Sequence, residues 1–183
     1  MPTLYQTALG PDYRHLPPLL QAFHSQPGPW WRGQVDVSWS PCPLLRSLLW
    51  LARLPAEGKQ LAIAVRLVVQ GQSESWQRYF GSRAMVSHQR LHPMGLSESF
   101  GPLRLLLRNQ VDARGLHQRS HDTRFLGLTL PAFLSLQVQA HEWAVADRFH
   151  FDVTIALGTH CLLRYTGWLQ PEKAKPFAEH RAH

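Results

Sequence analysis

Cysteine and lysine are scarce in this chain. Cys42 and Cys161 are the two thiols and stand far apart, so there is no C-x-x-C pair to hold zinc or exchange disulfides. Three lysines accompany 16 arginines. The arginines are scattered from Arg14 to Arg181 without a dense cluster, which argues against a specific nucleic-acid site despite a net charge of +7. An arginine-rich, lysine-poor composition is also what a GC-rich bacterial genome encodes. No apolar run approaches the ~20 residues of a membrane helix, and Met1-Pro2-Thr3-Leu4-Tyr5 lacks the basic start and apolar stretch of a secretory leader. These absences imply a soluble, cytoplasmic protein whose thiols stay reduced.

Catalytic signatures are missing too. The chain has no G-x-S-x-G elbow, no P-loop, no G-x-G-x-x-G turn and no H-E-x-x-H motif. His141-Glu142, His150 and His160 have no recognisable ligand spacing, and His160 and Cys161, being adjacent, would lie on opposite strand faces rather than form a nucleophilic pair. We therefore expect no metal and no cofactor. What is present suits a globular core: 44% hydrophobic and 17% charged residues exclude a disordered chain. The length allows about two thirds of the unfolded surface to be buried without a disulfide or metal.

The pattern changes character near residue 60. Before it, Leu16, Leu19, Leu20 and Phe23 mark a helix from Tyr13 or Leu16 to Phe23, started by Pro17-Pro18. Gly33 to Trp39 then alternates as a strand, and Ser40-Pro41 caps a second helix, Cys42 to Leu54. That helix has a broad Leu/Trp surface beside Arg46 and Arg53; core packing is the favoured reading, with a helix lying on a membrane surface as the alternative. From residue 60 to 169 the period is twofold. Leu61, Ile63, Val65, Leu67 and Val69 share a face, and Gln70-Gly71-Gln72-Ser73 turns into the next strand. Further strands fall at Arg83 to Leu91, Leu96 to Val111, His117 to Leu130 in pieces, Leu134 to Val145, Phe149 to Leu157 and Cys161 to Leu169.

The fold class this predicts is α+β, mainly β. Seven to eight antiparallel strands form a strongly curved sheet or part-open barrel with two N-terminal helices packed on it. One domain covers residues 1–170, and the polar segment 171–183 reads as a flexible tail.

The strand Glu74-Ser75-Trp76-Gln77-Arg78-Tyr79-Phe80 carries the functional argument. Glu74, Trp76, Arg78 and Phe80 share one face, and burying two charges beside two aromatics is costly unless each charge has a partner. Such a face either lines a polar-floored pocket or stays in water. Arg78 would be satisfied by Asp152 after a register shift or by Glu98, and both pairings stay open. Arg148, His150, Asp152 and Thr154 read more readily as a solvated face behind Phe149, Phe151, Val153 and Ile155.

The run Glu74-x-Trp76-x-Arg78-x-Phe80-Gly81 leading to Ser87 is followed by Glu98-x-Phe100-Gly101-Pro102, Arg148-Phe149-x-Phe151-Asp152-Val153 and Tyr165-x-Gly167-x-Leu169. Together these resemble a bacterial domain of unknown function, the family DUF4166. Leu4-Tyr5 through Leu9-Gly10 to Leu19 and His24 is similar too, so the likeness covers about residues 4 to 169. The resemblance implies a domain that stands alone, the arrangement expected for this chain, or follows an NAD-binding reductase domain of the saccharopine dehydrogenase type. It brings no catalytic residues.

The resulting expectation is a cavity for a small, largely apolar or amphipathic molecule, anionic if Arg78 and Arg148 offer a free charge. Its candidate binding residues are Glu74, Trp76, Arg78, Phe80, Glu98, Phe100, Arg148, Asp152 and Tyr165. Two other readings accompany it. One is a cofactor-independent isomerase or cyclase using Glu74, Glu98 or Asp152. The other is a module docking on a reductase partner through Trp30 and Trp31.

Overall fold

The structure, a computed structural model, describes residues 2–51 and 54–172. The chain begins with α1 (Leu4–Leu9), a 3-10 turn (Gly10–His15) and α2 (Pro18–Ser25), then β1 (Trp31–Trp39) and α3 (Pro43–Leu51). Ten strands follow: β2 (Gly58–Gln70), β3 (Ser73–Phe80), β4 (Arg83–His92), β5 (Gly95–Phe100), β6 (Leu103–Asp112), β7 (Gly115–Phe125), β8 (Leu128–Thr129), β9 (Leu136–Val145), β10 (Arg148–Leu157) and β11 (His160–Pro171).

Helix α1 was not expected, yet its start is written in the sequence. Thr3 Oγ1 accepts from the Gln6 backbone N–H at 3.3 Å, and Gln6 Oε1 accepts from the Thr3 N–H at 2.8 Å. This reciprocal capping box satisfies two donors that a short helix otherwise leaves bare. The expected helix from Tyr13 or Leu16 starts only at Pro18. Leu16 is extended, with ψ at 144°, because a following proline ring disfavours helical backbone at the preceding residue. The turns of the 3-10 segment are held instead by tertiary bonds: Tyr13 Oη donates to Gln21 O at 2.7 Å and Gln21 Nε2 to Leu16 O at 2.8 Å.

The sheet closes. Strand neighbours run β6-β5-β4-β3-β2-β1-β11-β10-β9-β7, and β6 pairs with β7, so ten antiparallel strands form a ring while two-residue β8 adds to the edge of β7. This corrects the open sheet of seven or eight strands in two respects. First, Leu96 to Val111 is two strands. Gly101, at φ 55°, and Pro102 make a two-residue hairpin turn between β5 and β6, a sign pattern for which glycine first and proline second are suited. Second, β1 bridges the ends of the later sheet, pairing with β2 on one side and β11 on the other. A closed ring has no exposed ladder groups at an edge, which a part-open barrel would have left for other chains to pair with.

Twofold alternation sorts the side chains as expected. Ile63, Val65 and Leu67 of β2, Leu105 and Leu107 of β6, Phe149 and Phe151 of β10, and Leu163 and Leu169 of β11 are buried in one core. Tyr5 from α1 and Leu20, Phe23 and His24 from α2 are buried in the same cluster, so the N-terminal helices stopper one end of the barrel. Phe23 stacks on Phe149 at 4.5 Å and meets Trp31 and Trp76 edge-on at 5.0 and 5.5 Å. Trp31 is thus a core residue, and a docking surface built on Trp30 and Trp31 together loses one of its members.

The opposite end is looser. The β7–β9 ladder stops at Arg119 and Gln139. Beyond it the hydroxyls of Ser120 and Thr123 donate to Leu136 O at 3.1 and 2.9 Å, and Ser120 Oγ accepts from the Val138 N–H at 2.7 Å. Helix α3 lies at this end and packs on the core, as expected, but only through Leu49 and the half-buried Leu45. Leu49 is buried, while Leu44, Trp50 and Leu51 are exposed. Arg53 of the expected surface lies outside the described residues. So do residues 173–183, while Pro171 still pairs with Trp31 and Glu172 is bonded to Arg32 at 3.0 Å.

Gly167 is one of the points where neighbouring strands approach too closely for a side chain. It sits between Val35 and Phe151 on neighbouring strands, and a Cβ there would come within 2.2 Å of Gln34 O and 2.9 Å of the Phe151 ring. Gly167→Ala should therefore cost about 1–3 kcal/mol through overpacking. For a barrel of this size that is a fall in melting temperature of roughly 2–12 °C by circular dichroism; an unchanged melting temperature would show that β1 and β11 separate freely.

Candidate functional site

β3 turns its mixed face inward. Glu74, Trp76 and Phe80 are buried, and the Arg78 side chain is 11% exposed, on the same wall as Ser87 and Gln89 of β4 and Glu98 of β5. The register explains the grouping. Arg78 opposes Met85 and Trp76 opposes Ser87 on β4, while Gln89 opposes Glu98 on β5, so these groups fall on one inner patch. Arg78 donates to Ser87 Oγ at 2.8 Å and to Glu98 Oε1 at 3.2 Å, Ser87 Oγ donates to the same Oε1 at 2.6 Å, and Gln89 Nε2 donates to Oε2 at 3.2 Å. Of the two partners left open for Arg78, the structure selects Glu98. The guanidinium also lies 4.6 Å over the Trp76 ring. Burial opposes the Arg78 charge, but Glu98, together with Tyr165 and Tyr5, outweighs it and holds the guanidinium pKa above its ordinary value.

A second buried polar group occupies the stoppered end. His24 Nε2 is 2.7 Å from Glu142 Oε2, the His24 ring stacks on Tyr5 at 3.9 Å, and Gln118 Nε2 donates to Tyr5 Oη at 3.2 Å. Burial, reinforced by Glu142, Glu74 and Glu98, pushes the Tyr5 hydroxyl well above its ordinary range, so it stays protonated. The sequence reading missed this cluster. His24 comes from α2 and Glu142 from β9, 118 positions apart, and only the docking of the helices into the barrel joins them.

Between these patches lies a cavity of about 380 Å³, within the range of small-molecule sites. Its walls are mostly apolar, from Ile63, Val65, Leu105, Val138, Phe149 and Val153 among others, and its ionisable lining consists of Arg78, Glu98, Glu142 and Tyr165. It reaches toward the looser end, where Leu54, Phe100, Pro102, Leu103, Leu136 and Ile155 line it. Burial raises the Tyr165 hydroxyl to about 12, with Arg78 pulling the other way, so it is a neutral donor at any physiological pH.

The proposed residues divide accordingly. Trp76, Arg78, Glu98, Phe100 and Tyr165 line the cavity. Phe80 is buried edge-on to Tyr165 at 5.5 Å, behind the wall. Glu74 is buried but off the cavity, accepting from Trp76 Nε1 at 3.0 Å. Arg148 and Asp152 are outside, because the alternation that turns Phe149, Phe151 and Val153 inward turns their neighbours outward. Arg148 lies 4.2 Å over Trp168, and Asp152 forms a two-pronged bond with Arg164 at 3.0 and 2.6 Å. Trp30 is also on the outer face, packed against Tyr79 and Arg66. Among the described residues no group of three or more His, Cys, Asp or Glu side chains is arranged to hold a metal ion, and no helix is long and apolar enough to cross a membrane.

The geometry defines an antiparallel barrel with a helical stopper and an apolar interior carrying neutralised charges. Over residues 16–169 the chain matches the family described as a domain of unknown function, DUF4166, and it belongs to that family. Among curated proteins none matches it.

Two outcomes follow from the buried charges. Glu98→Ala strands Arg78 without its carboxylate and should lower stability by about 3–5 kcal/mol, whereas the double change Arg78→Met with Glu98→Leu should recover most of that loss in urea unfolding. Equal losses in the single and double variants would mean that the pair itself is not what matters.

Glu74 supplies the second. Burial raises its pKa, against the opposing influences of His24 and the Trp76 bond. As pH rises from the ordinary carboxylate range through this raised value, the unfolded chain has already lost a proton that the fold retains, so stability declines and then levels off. Glu74→Gln should lack that decline. Urea midpoints of the two proteins, taken from about pH 4 to about pH 8, should diverge in favour of the variant toward neutral pH; parallel curves would place the carboxyl in a water-like setting.

Proposed function

We propose that this protein binds a small, uncharged lipophile bearing one oxygen function inside the barrel. The observation that carries the reading is a largely apolar cavity of about 380 Å³ whose polar lining is already partnered: Arg78 with Glu98 at 3.2 Å, and Glu142 with His24 at 2.7 Å. An anionic ligand would have to compete with Glu98 for Arg78 and approach Glu142 as well. The electrostatics therefore favour a neutral molecule over the carboxylate that an unpartnered Arg78 would have suited. Tyr165, neutral and lining the cavity, is the group assigned to the ligand's oxygen.

A proton-transfer enzyme has less support. Glu74 is off the cavity, Glu98 is held by three donors and Asp152 is bonded to Arg164 outside.

The test is binding of N-phenyl-1-naphthylamine, a neutral apolar fluorophore, and its displacement by a long-chain alcohol or by the fatty acid of equal length. Wild type should bind the fluorophore and yield it to the alcohol in preference to the acid. Tyr165→Phe should weaken the alcohol about fivefold while leaving the fluorophore unchanged. Ala140→Phe, which fills the cavity wall, should abolish both. No probe uptake, or stronger displacement by the acid, overturns the reading.

A further inference from the structure

The end of the barrel opposite the helical stopper displays an apolar rim on two unconnected segments. On α3, Leu44, Trp50 and Leu51 are 77%, 65% and 73% exposed; between β7 and β9, Leu126, Leu128 and Phe133 are 73%, 74% and 71% exposed. By strand order these segments arise three to four strands apart around the ring, since α3 follows β1 and the other joins β7 to β9. The cavity reaches toward the space between them through Leu54, Phe100, Pro102 and Leu103. Bulky apolar groups surrounding an opening, rather than gathered in one patch, do not read as a flat protein interface.

Leu126 is especially informative. It is the first residue of the two-residue β7–β8 turn and adopts φ 50°, followed by Gly127 at φ 87°. A turn with both central residues at positive φ favours Asn or Asp before Gly, and a leucine there is conformationally disfavoured. The fold by itself gains nothing from a strained leucine held out in water.

Charge lies beside the apolar tip. Arg104 of β6 and Arg124 of β7 are directly opposed on the outer face, a like-charge pairing that destabilises a sheet in water. With Ser99, Leu126 and Gly127 they line a hollow of about 260 Å³. Asp122 Oδ2 accepts from Arg124 Nε at 3.2 Å; among the described residues Arg104 has no carboxylate partner. A twinned guanidinium site next to a protruding leucine matches a phosphate beside an acyl layer.

We propose that the open end of the barrel seats on an anionic phospholipid surface. The apolar rim enters the acyl boundary, and Arg104 and Arg124 take a headgroup phosphate. The cavity mouth then faces the bilayer, which gives a lipophile a route into the barrel that avoids water.

The experiment is vesicle flotation of the full chain without added lipophile, so its outcome stands whether or not the cavity binds a probe. Vesicles of phosphatidylcholine alone are compared with vesicles that also contain phosphatidylglycerol. Wild type should float with the anionic vesicles and be released by salt. Leu126→Asn should weaken flotation about tenfold, the partitioning of one leucine side chain, while its melting temperature stays equal or rises. Arg104→Gln should weaken it about fivefold.

Absence of flotation at low salt overturns the proposal. So does flotation that both variants retain, since the overall positive charge would then suffice. A melting temperature raised by inorganic phosphate in a protein that ignores vesicles would make the arginine pair a free-anion site instead. A dimer in light scattering that Leu126→Asn dissociates would assign the rim to a second copy of the chain.

Discussion

A guanidinium inside a β-barrel has to be neutralised, and the interior of this protein is organised around that requirement. Arg78 cannot reach water without leaving the wall, and its carboxylate lies two strands away on β5. The bond from Arg78 to Glu98, with Ser87 between them, therefore ties three strands into one register. A slip of one residue at the β4–β5 pairing would turn Glu98 outward and leave the charge uncompensated. The same bonds settle the character of the cavity. Once Arg78 belongs to Glu98 and Glu142 to His24, the remaining lining is apolar apart from neutral donors such as Tyr165.

The two ends of the barrel are built differently. At one, α1 and α2 insert rings and a histidine among the strands. At the other, the β7–β9 ladder gives way to hydroxyl bonds, and leucines and aromatic rings stand in solvent. One end of the barrel is stoppered by helices and the other is looser. The apolar rim and the opposed arginines beside it have no role in holding the barrel together, which is why they suggest an external surface.

Much of the fold was legible in the residues. The change of period near residue 60 located the sheet, and the hairpin at residues 70–73, the inward side of β2 and the inward side of β3 follow from alternation alone. The strand count was harder to read, because Gly101-Pro102 signals equally a bend within one strand or a turn between two. Closure was not readable at all: β1 meets β11 across more than a hundred residues, and no local pattern records such a contact. Arg148 entered the candidate site as a free charge and Asp152 as a partner for Arg78, although their own neighbours Phe149, Phe151 and Val153 already indicated which face would be buried.

By itself the sequence determined where helical pattern gives way to strand and which side of β2, β3 and β10 is apolar, because these follow from periods of two and 3.6 residues and from the steric demands of proline and glycine. It also determined that Arg78 would need a partner, since no single strand can satisfy its own buried charge. Only the tertiary structure decided which carboxylate that partner is, that the sheet closes, and that His24 reaches Glu142. Each of these is a meeting of side chains distant along the chain, chosen by the one arrangement in which all strand registers, ring contacts and buried charges are satisfied together.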